Sequence, residues 1–276
     1  MTYLEFDFKV KPVELGSEIL IAQLGEVGFE SFVEHEKGFL AYIPKEEFKE
    51  PVFKEIQLFN NQVFEVSWSS KTIEQQNWNS QWEKNFHPIK VDDKCMVRAP
   101  FHAKEEVDFD IVIEPKMSFG TGHHETTHMM LQHILDNDFK GKAVLDMGCG
   151  TGILAILAEM KGAKPIEAID IDNWCYLNSI ENVERNNCSN IKVFEGDSRL
   201  LTNKKFDVII ANINRNILLD DISTYSLCLN TNGLLFLSGF YKSDLNIISS
   251  KCDEHSLQFK NNLEKNNWVA AVYRKR

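Results

Sequence analysis

From about residue 142 the chain alternates strand and helix, and that alternation constrains the fold more than any other feature of the sequence. KAVLDMGCGTGILAILAEMKGA reads as a strand, a glycine loop and a helix, and PIEAIDID followed by NWCYLNSIENVERNN repeats the unit. IKVFEGD, FDVIIANI, a helical run over 216–229 and GLLFLSGF continue it. Strands that alternate with helices build a parallel, doubly wound α/β sheet. Tail strands near 255–262 and 267–274 add an antiparallel edge hairpin, and short strands around 87–99 and 107–113 precede the sheet.

An open α/β sheet binds its ligand at the carboxyl ends of its strands. Asp146, Gly148, Gly150 and Gly152 form D-x-G-x-G-x-G at the end of the first. Glycines let the backbone turn close to a ligand and leave the next helix's N–H groups open to it. The third glycine comes one residue early for a dinucleotide fingerprint. Asp170 ends the second strand, 22 residues after Gly148, where a carboxylate accepts both hydroxyls of a ribose. Asp197, in FEGDSR, follows the third strand and is placed to meet an adenine amino group. Asn212 ends the fourth. One Asp at a strand end is often only a helix cap. Polar residues at four successive strand ends point to an adenosine ligand.

The front of the chain has a different rhythm. In YLEFDFKV, Leu4, Phe6, Phe8 and Val10 face one way while Glu5, Asp7 and Lys9 face the other, which is a half-buried strand. A helix over 13–27, strands FESFVEH and GFLAYI, a helix over 45–59 despite Pro51, and the strand NQVFEVSW complete the set. The order β-α-β-β-α-β is that of a small ferredoxin-like α+β domain. It holds no cluster of catalytic groups, so it reads as a recognition module over 1–70. A Gln- and Asn-rich stretch then predicts a linker helix over 71–86, with Ile73, Trp78 and Trp82 on one side. Residues 87–276 form the ligand-binding domain.

Charge narrows the partners. The 276 residues carry a net charge of −11, and residues 1–70 hold six lysines against thirteen carboxylates, a balance of −7. A protein that grips a phosphate backbone shows the opposite sign, so no nucleic-acid binding is expected. Negative surface serves solubility, or it docks something basic. The six cysteines include no C-x-x-C pair, which favours reduced thiols over a disulfide framework or zinc knuckle. No apolar run is long enough to span a membrane, and MTYLEFDFKV lacks the layout of a signal peptide. A cytoplasmic monomer is expected.

Residues 110–276 resemble the class I S-adenosylmethionine-dependent methyltransferases. The run SFGTGHHETTH resembles the signature that precedes the first strand in the ribosomal protein L11 methyltransferase (PrmA) family. NWNSQWEKNFHPIKV resembles that family's linker, and the ferredoxin-like front module also fits. The resemblance implies transfer of methyl groups from S-adenosylmethionine to lysine and/or N-terminal amines of a large-subunit ribosomal protein. It carries over Thr127, Gly148, Asp170 and Asn212 as cofactor contacts, with Phe119, Gly150 and Asp197 beside them. The fourth-strand segment departs from the family's A-N-I-L-A-N-P: it runs Ala211, Asn212, Ile213, Asn214, Arg215, Asn216, Ile217. Nor is it N-P-P-[YF], which holds a planar base nitrogen, so an aliphatic amine suits it better. Asn212 is the candidate for orienting that amine. An RNA methyltransferase would share the second half of the chain, and a non-catalytic adenosine-binding adaptor would keep the cofactor site alone.

Residues 124–128, HETTH, match the H-E-x-x-H pattern of zinc proteases. The match stops there: MMLQH follows in place of G-x-x-H, and no glutamate lies between Glu125 and Glu159. No metal is expected. Thr126 and Thr127 instead open a helix whose N–H groups and hydroxyls receive the methionyl carboxylate. Phe119 and the Gly120–Gly122 turn would lie over the ligand as a flap, with His123, His124 and His128 capping and shaping the loop.

Overall fold

The computed structural model describes residues 2–54, 56–61, 63–73 and 86–276. They fall into two compact units, Met1–Lys84 and Asn85–Arg276.

In the first unit, strands β1 (Tyr3–Lys11), β2 (Ser31–His35), β3 (Gly38–Pro44) and β4 (Glu65–Ile73) form an antiparallel sheet in the order β2-β3-β1-β4. Helix α1 (Val13–Glu26) adds Leu20 and Leu24 to the core. The period-two pattern of β1 sends Phe6, Phe8 and Val10 inward, where they meet Phe29, Phe39 and Ile43. The helix expected over 45–59 is absent. Two 3-10 turns, Glu50–Lys54 and Gln57–Asn60, stand in its place. Pro51 explains this, because an α-helix through it would lose one N–H donor and clash with the carbonyl four residues back. β4 also starts later and runs further than NQVFEVSW. Lys71 lies inside it, opposite Glu5 in register and bonded to that carboxylate at 2.7 Å. The strand therefore crosses the expected boundary at residue 70. The rest of the expected linker helix, with Trp78 and Trp82, lies outside the described residues.

The second unit opens with a small sheet of β5 (Ile89–Val91), β6 (Cys95–Arg98) and β7 (Phe109–Val112). Its main sheet comprises β8 (Val144–Met147), β9 (Ile166–Asp170), β10 (Ile191–Glu195), β11 (Phe206–Asn212), β12 (Leu229–Tyr241), β13 (Leu257–Lys265) and β14 (Trp268–Lys275). The order is β10-β9-β8-β11-β12-β14-β13. The first five strands run parallel, and β14 and β13 close one edge antiparallel, as the expected hairpin.

Alternate residues of the central strands feed two separate cores. Val208 and Ile210 of β11 pack on one face with α2 (Glu125–Asp136), α3 (Ile153–Met160) and Val183 of α4 (Asn173–Arg185). Ile209 and Ala211 pack on the other with α5 (Arg215–Cys228) and α6 (Leu245–Glu254). Strands buried on both faces are near-continuous apolar runs, which is why FDVIIAN shows little polar alternation. Strand order reverses between β8 and β11, so the loops after β8, β9 and β11 splay apart there and leave a crevice.

Candidate active site

That crevice is a cavity of about 760 Å3. The β8–α3 loop forms its floor. Gly148 and Gly150 have φ of +70° and +57°, and a Cβ at either would strike Ile213 or the Phe119 carbonyl. Only glycine meets both demands. The Asp170 carboxylate, at the end of β9, fixes this loop: its Oδ2 accepts the Gly150 N–H at 2.8 Å. Its Oδ1 accepts the Asp172 N–H at 3.1 Å. Asp146 sits beneath the loop, fully buried, with Oδ2 accepting the Ala155 N–H at 3.0 Å. Burial pushes its carboxyl up to about 7, helped by the nearby Asp170 charge and opposed by the Ala155 bond.

The segment before α2 closes one side. Thr151 donates its N–H to the Phe119 carbonyl at 2.9 Å and its hydroxyl to that of Gly120 at 2.5 Å. Phe119 itself is half exposed and lines the cavity. α2 begins at Glu125 with His124 as its N-cap, whose Nδ1 accepts the Thr126 N–H at 3.2 Å. HETTH is thus a helix start. His123 reaches the His87 carbonyl through Nε2 at 3.0 Å, so both histidines shape the loop as expected. Thr126 lines the cavity, while Thr127 is fully buried and meets Asn212 at 3.4 Å.

Asn212, Ile213 and Asn214 line the far side. Asn212 Oδ1 is buried and has no hydrogen-bond partner among the described residues. A buried amide oxygen in that condition carries a desolvation cost that a bound donor would remove. The departure at Asn214 has a structural role: its Oδ1 accepts the Ile217 N–H at 3.2 Å and caps α5. Ile217 lines the cavity.

Of the residues expected to bind cofactor, Phe119, Gly148, Gly150, Asp170, Asp197 and Asn212 share the cavity lining, and Thr127 stands behind Asn212. Asp197 differs from expectation in its engagement. Its carboxylate is gripped by Arg199 at 2.6–3.0 Å through Nε, Nη2 and the backbone N–H, which holds it down at about 2. Ile171, Cys175 and Trp268 also line the cavity, although nothing in their local sequence marks them. Asp170, Asp172 and Cys175 bring ligand atoms within 4.8 Å of one another, but burial raises the Cys175 thiol and so disfavours the thiolate that a metal would need.

A family model described as ribosomal protein L11 methyltransferase (PrmA) matches residues 16–276. The chain belongs to that family. A ribosomal protein L11 methyltransferase of Bacteroides fragilis is 48% identical over 278 residues, covering 99% of each chain. One of Porphyromonas gingivalis is 45% identical over 280 residues, covering 98% of this chain and 97% of its own. Among solved structures, a ribosomal protein L11 methylase from Lactobacillus delbrueckii subsp. bulgaricus aligns with a TM-score of 0.65 and 29% identity, over 69% of this chain and 100% of that one. The central, mostly parallel sheet of this PrmA-family chain accords with a class I methyltransferase fold. No helix among the described residues is long and apolar enough to cross a membrane.

Proposed function

We propose that the chain transfers methyl groups from S-adenosylmethionine to lysine and/or N-terminal amines of ribosomal protein L11, acting in the cytoplasm as a monomer. The observation that carries the reading is the unpartnered Asn212 Oδ1, buried in the same cavity as the Asp170 carboxylate and the glycine loop. The donor set fits an adenosine-bearing sulfonium. Asp170 supplies acceptors for a ribose, Gly148 and Gly150 let the backbone pass close to it, and Asp197 stands toward the adenine. Thr126 and Thr127 open the helix that faces the methionyl carboxylate.

When bound, S-adenosylmethionine supplies a methyl group already activated on sulfur. The chain's own task is to present a neutral amine to it. A lysine amine has an ordinary pKa of about 10.4, so holding it unprotonated at pH 7 costs roughly 4–5 kcal/mol. Desolvation beside a cationic sulfonium lowers that cost, and fixed orientation supplies more. Asn212 Oδ1 accepts an N–H of the amine and so aims its lone pair. The departing proton passes to water, so no side-chain base is required.

The first unit is read as a ferredoxin-like module that recognises the protein substrate. The −7 balance over residues 1–70 suits a basic partner. The test offers labelled S-adenosylmethionine to the full-length chain with purified L11, rRNA, or both. Label in L11 alone supports the reading, and label in rRNA, or in neither, overturns it.

A further inference from the structure

Two histidines clamp the start of the second unit. His102 Nε2 lies 2.6 Å from the Phe86 carbonyl oxygen, and His123 Nε2 lies 3.0 Å from that of His87. Consecutive carbonyls thus meet one imidazole each. A carbonyl oxygen only accepts, so both rings are assigned a proton at Nε2. His102 Nδ1 accepts the Ala99 N–H at 3.1 Å, which agrees with that tautomer. The Phe86 ring is held as well, 6.0 Å from His102 with 10° between the planes and 4.6 Å from His123 with 56°. None of Phe86, His87, His102 and His123 lines the cavity.

The two histidines stand on different ground. The His102 carbonyl accepts from Arg98 Nη1 at 3.1 Å, and Arg98 holds Asp110 of β7 through Nε and Nη2 at 2.7 and 2.9 Å. A partly buried, bidentate pair of this kind fixes the guanidinium, and His102 with it. His123 belongs instead to the segment that closes one side of the cavity. With its proton on Nε2, it accepts the Thr121 hydroxyl at Nδ1, 3.1 Å away in the Gly120–Gly122 turn. Thr151 of the glycine loop holds the other end of that turn through the Phe119 and Gly120 carbonyls. The turn is therefore tied to the glycine loop on one side and to residues 86–87 on the other.

We infer that His123 is a positioning residue: it latches the segment over the cavity to the chain entering the second unit, so that cofactor release depends on how residues 86–87 are held. Chain connectivity brings to Phe86 and His87 any restraint placed on the residues before them. The module proposed for recognising L11 precedes them in sequence. L11 held there steadies the latch and slows release of the cofactor, a consequence that rests on the activity proposed above. Two sites then share one element that is latched or free, which is what coupling between them requires.

The test measures release of S-adenosylhomocysteine, which has no methyl to transfer, from the full-length chain by a stopped-flow chase with and without saturating L11. His123→Ala should speed release by about threefold, the scale of one hydrogen bond. It should also raise KM for S-adenosylmethionine more than it lowers kcat. His123→Gln, which returns an N–H donor close to the place of Nε2, should recover most of the loss. Phe86→Ala should speed release too, and less than additively with His123→Ala, because each opens the same latch. Saturating L11 should slow release about fivefold in the wild type and leave it unchanged in His123→Ala. Unaltered release in His123→Ala, full additivity of the two alanine variants, or an L11 effect that survives His123→Ala would each sink the latch. A wild-type chain that transfers nothing to L11 would sink the proposed activity instead, and the release rates of the variants without L11 would still decide the role of His123.

Discussion

Asn212 reaches Thr127 across 85 positions of chain, its Nδ2 lying 3.4 Å from the threonine hydroxyl oxygen, while its Oδ1 stays buried without a partner among the described residues. One end of the amide is thus tethered and the other is left for a ligand. The amide thus presents its Nδ2 to Thr127 and its carbonyl end away from it.

That tether predicts a division of labour. Asn212→Ala should lower kcat by about 10²-fold or more, as expected for loss of a group that positions the reacting amine. Thr127→Val keeps shape but removes the tether, and should lower kcat by roughly tenfold through a loosened Asn212. Steady-state kinetics with saturating S-adenosylmethionine separates the two. Equal, small effects in both variants would remove Asn212 from the amine site.

The two acidic strand ends should behave differently. Asp170→Ala removes the clamp on Gly150 together with the proposed ribose acceptor, and should weaken S-adenosylmethionine binding by about 2–4 kcal/mol. Asp197 already spends its carboxylate on Arg199 in solvent. Asp197→Ala should therefore weaken binding by less than about fivefold, the scale of a solvent-exposed contact. Calorimetry that ranks the two the other way round would reverse their roles.

The contrast shows what local sequence can reveal. Asp170, Gly148 and Asn212 were legible because each ends a strand, and strand ends of a doubly wound sheet converge. The Asp197–Arg199 fork was not, since a contact between residues two apart depends on the backbone turn at Asp197, which follows no period. Trp268 reaches the cavity only because β14 pairs with β12, a long-range register that no nearby residue announces. In the first unit the 45–59 pattern suggested a helix, and Pro51 was the warning that should have outweighed it. Helix α6 went unread because LNIISSKCDE buries only Ile248 and Cys252, too little apolar surface to show a helical period.

Asp146 predicts a pH dependence. An aspartate ordinarily ionises near pH 4, but in the folded chain burial pushes this carboxyl up to about 7. Between those values the folded state holds a proton that the unfolded chain has lost, so stability falls as pH rises through that window and levels off above 7. The loss is at most about 4 kcal/mol. Asp146→Asn cannot ionise, so urea melts at pH 5 and pH 8 should show a smaller drop than in the wild type. Parallel pH profiles for the two proteins would mean that Asp146 is not the group responsible.

HETTH makes a prediction about metal. His124 Nδ1 is engaged by the first turn of α2, and among the described residues neither His124 nor His128 belongs to a cluster of three side chains able to hold an ion. Purified protein should contain no stoichiometric zinc, and chelators should leave methyl transfer unchanged. One tightly held zinc per chain in elemental analysis would overturn the reading of this segment as a helix start.

The two units should separate in function. Residues 1–70 hold most of the excess negative charge, and every cavity-lining residue lies beyond residue 118. A cut at Lys71 would fall inside β4 and leave its last residues unpaired, so the informative fragment begins at residue 86. That fragment keeps the whole seven-stranded sheet and both of its cores, and should fold and bind S-adenosylmethionine with nearly full affinity. It should nonetheless lose most methyl transfer to intact L11, because binding energy from a remote domain is what positions the amine. Raising the salt should slow capture of a basic substrate by the full-length chain, as screening of steering charges requires, with little effect on the fragment. A fragment that methylates L11 as fast as the full chain would show that residues 1–84 are not the recognition module, and would leave the catalytic reading of the cavity standing without them.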